Sequence, residues 1–190
     1  MVDLKRITDF AAGIYLRPMT SEDTDLIVAW RNNEEVRRHF IHQEKFTREG
    51  HEKWTKQMVE TGKVVQFMIC EADTDTPLGA VNIQNIDRQH NKAEYGIFIG
   101  EASARGRGLG TAAAKLMLQY CFKEEKLNRV YLRALSTNEQ AIRSYEKAGF
   151  VREGLLRADV CINGEYRDIV WMAALNHDDR KMRMEKDVEA

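Results

Sequence analysis

The sequence lacks the features that mark most secreted, membrane and nucleic-acid-binding proteins. Its 190 residues carry 29 Lys and Arg against 30 Asp and Glu, so the net charge of -1 leaves no basic excess for nucleic acid. The longest apolar run, 169–175, is far below the roughly 18 residues of a membrane-spanning helix. The first ten residues lack the apolar stretch of a secretory signal. We therefore expect a cytoplasmic protein with neither a nucleic-acid partner nor a membrane span.

Cysteine is scarce, and its positions exclude two kinds of cross-link. Cys70, Cys121 and Cys161 are odd in number, scattered and in no Cys-x-x-Cys spacing. This argues against a disulfide framework and against a thiolate metal site. We predict that all three are small buried apolar residues. We assign no metal, because His39 and His42 lack further ligand-type partners.

Length, composition and pattern predict one mixed α/β domain over 1–190, with a core at about 14–175 and a charged tail at 176–190. The predicted elements in chain order are strand 14–17, a helix to about Asn32, a helix from Thr47, strands 64–70, 78–86 and 93–99, a helix from about Gly108, strand 130–134, a helix from Asn138, and strands 150–157 and 166–174. The middle strands form an antiparallel meander and the next strand-helix-strand unit a parallel crossover. The dipeptide Asn163-Gly164 predicts a two-residue hairpin.

The segment 100–111, between a strand and a helix, carries the chemistry. Three of its four glycines lie close together and permit unusual backbone angles and close ligand approach, and the first amides of a helix have no partner inside it. These glycines and the neighbouring cations are Gly106, Gly108, Gly110, Arg105 and Arg107. The segment predicts an anion cradle. It departs from the dinucleotide fingerprint at Thr111 and lacks the Gly-Lys-Ser/Thr of a nucleoside-triphosphate loop.

Two motifs resemble a known family. Arg105-x-x-Gly108-x-Gly110 matches the Arg/Gln-x-x-Gly-x-Gly/Ala pyrophosphate loop of the GCN5-related N-acetyltransferases (GNAT), after the strand expected to be the family's fourth. The segment 138–150, a helix with Tyr145 before a Gly-Phe turn, is similar to the family's second signature. The resemblance covers roughly 14–175 and is closest to enzymes that acetylate ribosomal-protein alanine, polyamines and amino sugars.

The resemblance implies a GNAT fold, with a mixed, mostly antiparallel sheet of about seven strands, flanked by helices and splayed between strands four and five. It also implies direct transfer of acetyl from acetyl-coenzyme A to an amine. The amides of Arg107, Gly108, Gly110 and Thr111 would hold the pyrophosphate, and the strand at 97–99 would pair with the pantetheine. The coenzyme-binding residues so implied are Ile97, Phe98, Ile99, Arg105, Gly106, Arg107, Gly108, Leu109, Gly110, Thr111 and Asn138.

Two residues are predicted to move protons. The resemblance implies that Tyr145 protonates the departing thiolate of coenzyme A, although a helix face shared with Ala141 and Ala148 also suits a core aromatic. An alkylamine is protonated near pH 7, so the acceptor must lose a proton before it attacks. Glu94 is the best base, because strand alternation puts it on one face with Phe98. A salt bridge at a strand end is the other interpretation of Glu94.

The acceptor is expected to bind over the first two helices. Trp30-Arg31-Asn32 and His51-x-x-Trp54 resemble enzymes that act on nucleotide-linked amino sugars, whereas 163–168 resembles polyamine and ribosomal-protein enzymes equally. A slightly basic balance over 31–56 favours the sugar, with a polyamine or a protein N-terminus as alternatives. The predicted acceptor residues are Trp30, Arg31, Glu34, His51 and Trp54.

Two further interpretations belong to other functional classes. A coenzyme-binding module without turnover would not need the intact Tyr145 and glycine loop. An acyl-coenzyme A hydrolase would need an activated nucleophile, and no Gly-x-Ser-x-Gly elbow is present. We therefore predict an enzyme whose partner is a small-molecule amine, and we leave a homodimer open.

Overall fold

The computed structural model describes residues 7–9 and 12–176, so the predicted tail after Asn176 lies outside the described residues. The strands are β1 (Ile7–Asp9), β2 (Ile14–Pro18), β3 (Val65–Glu71), β4 (Pro77–Asp87), β5 (Lys92–Ile99), β6 (Arg129–Leu135), β7 (Val151–Ile162) and β8 (Glu165–Leu175). The helices are α1 (Thr24–Asn32), α2 (Glu34–Arg37), α3 (Arg48–Trp54), α4 (Leu109–Lys123) and α5 (Glu139–Ala148). A π turn, Thr55–Val59, continues α3.

The strands form one sheet in the order β1-β2-β3-β4-β5-β6-β8-β7. Strands β5 and β6 are parallel, and every other neighbouring pair is antiparallel. The mixed, mostly antiparallel sheet is therefore confirmed, with eight strands in the described part of the chain. The strand missing from the sequence interpretation is β1, whose three residues are too few to show an alternating pattern.

The sheet opens between β5 and β6, the two strands at which a splay was predicted. Their pairing covers Lys92–Glu94 against Arg129–Tyr131 and goes no further. From Tyr95 to Ile99, β5 pairs with β4 on one side, and no strand of the described residues pairs with its other edge. An unpaired edge exposes backbone donors and acceptors that an extended ligand can use.

Helix α4 packs on the sheet through a nearly continuous apolar face and forms the main core with β2–β6. A smaller cluster lies beneath α1, around Tyr15, Ile27 and Trp30. Cys70 and Cys121 are buried, as predicted. The prediction for Cys161 is wrong, because this cysteine lies on the edge strand β7 and is exposed.

The Asn163-Gly164 hairpin between β7 and β8 is confirmed. Both residues have positive φ angles, 52° and 83°, as a two-residue turn of this type requires. Among residues 7–9 and 12–176, no helix has the length and apolar character needed to cross a membrane. The same residues contain no group of three or more His, Cys, Asp or Glu side chains placed to hold a metal ion.

Candidate active site

One large cleft, with a volume of about 920 Å³, collects most of the predicted site residues. Its walls come from β4 and β5, the segment from α1 to α3, the start of α4, and the β6–α5 region. The predicted coenzyme-binding residues that line it are Ile97, Phe98, Ile99, Arg105, Gly106, Gly108, Leu109, Gly110, Thr111 and Asn138. Tyr145 and Glu94 line the same cleft, so the two proton-transfer candidates share one space with the loop.

The glycine loop presents a run of backbone donors at the start of α4. Gly106 and Gly108 have φ angles of 75° and 80°, which L side chains rarely adopt. Alternating handedness of this kind turns successive N–H groups toward one point. Among the described residues, no acceptor bonds any N–H from Gly106 to Gly110. The loop therefore offers several amides, together with the positive end of the α4 dipole, to an anion.

Two of the loop predictions need correction. The N–H of Thr111 donates to the carbonyl of Gly108 at 3.1 Å, because Thr111 already lies within the first helical turn. The guanidinium of Arg107 lies 2.7 Å from the Glu71 carboxylate and does not line the cleft. Arg105 does line the cleft, and its guanidinium donates weakly to the carbonyl of Gly100 at 3.4 Å.

Tyr145 is held beside the loop by contacts between α4 and α5. The Thr111 and Ser144 hydroxyls are 2.8 Å apart, and a side chain at Gly110 would approach the Ser144 hydroxyl to 3.4 Å. The Tyr145 ring packs edge-to-face on Tyr95, with ring centroids 6.1 Å apart. Burial raises the pKa of Tyr145 to about 12, so its phenol keeps its proton at neutral pH.

Asn138 caps α5, as one of its two predicted roles requires. Its side-chain carbonyl accepts a hydrogen bond from the N–H of Ala141 at 3.3 Å. The cap leaves Asn138 in the wall of the cleft. Capping and contact with a ligand are therefore compatible.

Glu94 is buried, with 6% of its surface exposed, and both of its carboxylate oxygens are engaged. Oε1 accepts from Nε of Arg133 at 2.9 Å, and Oε2 accepts from Nδ2 of Asn85 at 2.8 Å. The predicted salt bridge therefore exists. Because each carboxylate oxygen has further acceptor capacity, the ion pair does not exclude a second role.

The predicted acceptor residues separate into two groups. Arg31, His51 and Trp54 line the cleft. Trp30 does not, and the expectation that it contacts the acceptor needs correction: its indole nitrogen donates to Glu101 at 2.9 Å, and its ring fills the space where a Gly100 side chain would stand. Glu34 does not line the cleft either, because its side chain is 80% exposed and pairs with Arg37.

Several residues of the cleft wall were not predicted from the sequence. Arg143 and Lys147, four residues apart on α5, add positive charge. Helical periodicity alone places them on one face and could have found them. Phe40 and Phe46 contact Arg31 from a stretch with no periodic signal, so no local pattern could have found them.

The residues present fit coenzyme A on two structural grounds. The N–H groups of 106–110 have no protein acceptor in the described part of the chain, which suits a pyrophosphate. The unpaired edge of β5 runs along the same cleft, which suits an amide-bearing extended chain. Together these observations support the assignment of the 106–110 loop and the β5 edge to one ligand, coenzyme A.

Comparison with known proteins agrees with this assignment. The model of the acetyltransferase (GNAT) domain family matches residues 14–151. The spermidine N(1)-acetyltransferase of Escherichia coli K12 is 33% identical over 169 residues, 88% of each chain. A putative ribosomal N-acetyltransferase of Bacillus subtilis is 34% identical over 120 residues, 63% of this chain and 61% of that protein.

A solved structure is also similar. The spermidine N-acetyltransferase of Vibrio cholerae, determined with CoA and spermine, superposes with a TM-score of 0.81 and 26% identity, covering 86% of this chain and 96% of that one. Its fold is that of the eight-stranded sheet described above. This chain therefore belongs to the GNAT family and is an acetyl-CoA-dependent N-acetyltransferase.

Proposed function

We propose that this chain acetylates a primary amine of a small-molecule acceptor, which attacks the donor directly. The observation that carries the proposal is the run of N–H groups at 106–110, which have no acceptor among the described residues, beside the edge of β5 that no described strand pairs. Acetyl-CoA supplies an activated acetyl thioester. The amides of Gly106, Arg107, Gly108, Leu109 and Gly110 bind its pyrophosphate, and the β5 edge at 97–99 orients its pantetheine.

Tyr145 is proposed as the acid. A phenol whose pKa is raised to about 12 by burial carries its proton at neutral pH, so it can donate a hydrogen bond, and then the proton, to the sulfur as negative charge develops there. The ring is fixed by Tyr95 and Phe150, so the hydroxyl needs no reorganisation to donate.

Glu94 is proposed as the acceptor of the amine's proton, directly or through water. The carboxylate lines the cleft and is held in place by Arg133 and Asn85. We expect Glu94→Gln to lower kcat at pH 7 by a factor on the order of ten to a hundred. The deficit should shrink as the pH rises toward the amine's own pKa of about 10, because solvent then removes the proton.

The matched control for Glu94 is Glu153→Gln, which removes the partner of Arg129 on the neighbouring part of the sheet. This variant should keep the wild-type pH profile of kcat. If Glu94→Gln changes thermal stability but leaves the pH profile of kcat unchanged, Glu94 is the ion-pair partner of Arg133 and not a base.

The acceptor that the comparisons favour is a polyamine, in preference to the nucleotide-linked amino sugar that the sequence analysis preferred. The E. coli relative and the V. cholerae structure are both spermidine N-acetyltransferases. Spermidine is therefore the first acceptor to assay with purified enzyme, by acetyl-CoA consumption. Its amines would meet Glu44, the lining carboxylate without an ion pair among the described residues, since Glu35 is paired with Arg38.

One observation favours a second acceptor class. Arg31 lies in the same cleft without a carboxylate partner in the described chain. A cleft with an unpaired arginine suits an amine that also carries a negative charge.

A homodimer stays a prediction. Apolar side chains are exposed on the β7–β8 hairpin, at Val151, Leu155, Leu156 and Tyr166. Strand β7 is also an edge of the sheet, since no described strand pairs with its outer side. These features support self-association through this hairpin.

A further inference from the structure

Two side chains in the cleft carry buried nitrogen atoms that have no hydrogen-bond partner among the described residues. Nε of Arg31 and both ring nitrogens of His51 are buried and make no hydrogen bond with the described residues. His51 is 3% exposed, so solvent does not satisfy its ring. Buried polar groups are nearly always hydrogen-bonded, so unsatisfied ones in a cleft wall are suited to bind a ligand that supplies their partners.

Aromatic rings surround both groups. The Arg31 guanidinium carbon lies 3.5 Å from the centroid of the Phe40 ring and 4.4 Å from that of Phe46. The His51 ring packs on Trp54 with a centroid separation of 5.6 Å. The rings shield the guanidinium from water, and burial lowers the pKa of Arg31 to about 10. Stacking attracts the cation but gives its N–H groups no acceptor.

Another arginine of the cleft wall, Arg133, shows the contrast. Arg133 lines the same cleft and is neutralised by Glu94 at 2.9 Å. Arg31 has no such carboxylate in the described chain. A desolvated charge without a partner is costly, and an incoming anion would remove that cost.

We propose that Arg31 and His51 form an anion subsite that binds a carboxylate or phosphate of the acceptor. This inference rests on the proposed acetylation of a primary amine, and it favours an acceptor that also carries a negative group over the polyamine that the comparisons favour. The planar guanidinium matches either anion through two parallel hydrogen bonds, and a neutral imidazole still donates one. Arg31 and His51 stand on α1 and α3, whereas the coenzyme loop precedes α4.

The test compares acceptors that differ only in the anion. Ornithine is putrescine with a carboxylate, and glucosamine 6-phosphate is glucosamine with a phosphate. Wild-type enzyme should use at least one anion-bearing member with kcat/KM higher by about tenfold or more. The pair of putrescine and ornithine tests for a carboxylate, and the pair of glucosamine and glucosamine 6-phosphate tests for a phosphate. Spermidine is assayed beside them as an acceptor without an anionic group.

The variant Arg31→Gln should remove this preference by raising the KM of the anion-bearing acceptor by about tenfold or more, with the KM of acetyl-CoA unchanged. Arg31→Lys should restore part of it, because it keeps the charge but loses the planar fork. The control is Arg48→Gln, an exposed arginine of α3 that does not line the cleft. It should leave every KM unchanged.

Calorimetric binding of ornithine and glucosamine 6-phosphate to the enzyme with CoA provides a readout that does not depend on turnover. Binding that Arg31→Gln abolishes supports the subsite. If neither molecule binds, or if Arg31→Gln raises the KM of acetyl-CoA instead, the subsite is wrong. If the wild-type enzyme and the Arg31→Gln variant both acetylate spermidine efficiently, the anion subsite is also wrong, but the proposed function remains intact. If the enzyme acetylates none of the amines tested, the proposed function itself is wrong.

Discussion

Replacing Gly108 by valine is expected to abolish acetyl-CoA binding while the protein remains folded. Gly108 has φ 80°, which a β-branched residue avoids, so the loop must change its path. Each hydrogen bond from an amide to a charged phosphate contributes about 1.5–3 kcal/mol. Loss of two of them weakens binding by more than about a hundredfold, as calorimetry with acetyl-CoA would measure.

Gly62→Val is the matched control for this substitution. Gly62 has φ 73° and, like Gly108, open space where a side chain would stand, but it does not line the cleft. Both variants should lose about 1–3 kcal/mol of folding free energy from backbone strain. Only Gly108→Val should lose the coenzyme. If the two variants bind acetyl-CoA equally well, the pyrophosphate does not lie on this loop.

Tyr145→Phe is expected to lower kcat by about a hundredfold or more, with the KM for acetyl-CoA nearly unchanged. The hydroxyl is required when charge develops on the leaving sulfur and contributes little before then. Phenylalanine keeps the edge-to-face contacts with Tyr95 and Phe150, so the fold should be retained. Steady-state kinetics under conditions in which the chemical step limits the rate provides the measurement.

Tyr131→Phe serves as the comparison for Tyr145. Tyr131 stacks on Trp171 and does not line the cleft, so loss of its hydroxyl should leave kcat unchanged. A folded Tyr145→Phe enzyme with the wild-type kcat would make Tyr145 a core aromatic, the other role that its helix face allowed.

The sequence predicted the parts of the site that depend on local chemistry. Glycines at positions of positive φ, the asparagine cap of α5 and the Asn163-Gly164 turn each follow from the conformations that single residues prefer. The open edge of β5 followed from the family resemblance. The two motifs that resemble the family, at 105–110 and 138–150, flank β6, and β6 is the strand that separates from β5. These elements account for the coenzyme half of the cleft.

The acceptor half could not be predicted in the same way, because its contacts join distant parts of the chain. Trp30 and Arg31 are neighbours on α1, yet Trp30 is 5% exposed against Gly100 whereas Arg31 enters the cleft. The pairing of Arg107 with Glu71 likewise joins the loop to β3. Long-range packing, and not the residue types, decides which cation faces a ligand.

The most direct test of the central claim follows thiol release from acetyl-CoA with and without a primary amine, and identifies the product by mass spectrometry. We expect thiol release to require the amine and each thiol released to accompany one N-acetylated amine. Equal release without any amine would indicate an acyl-CoA hydrolase. Tight binding of acetyl-CoA with no release, whether spermidine, amino sugars, amino acids or peptides are supplied, would contradict catalysis altogether.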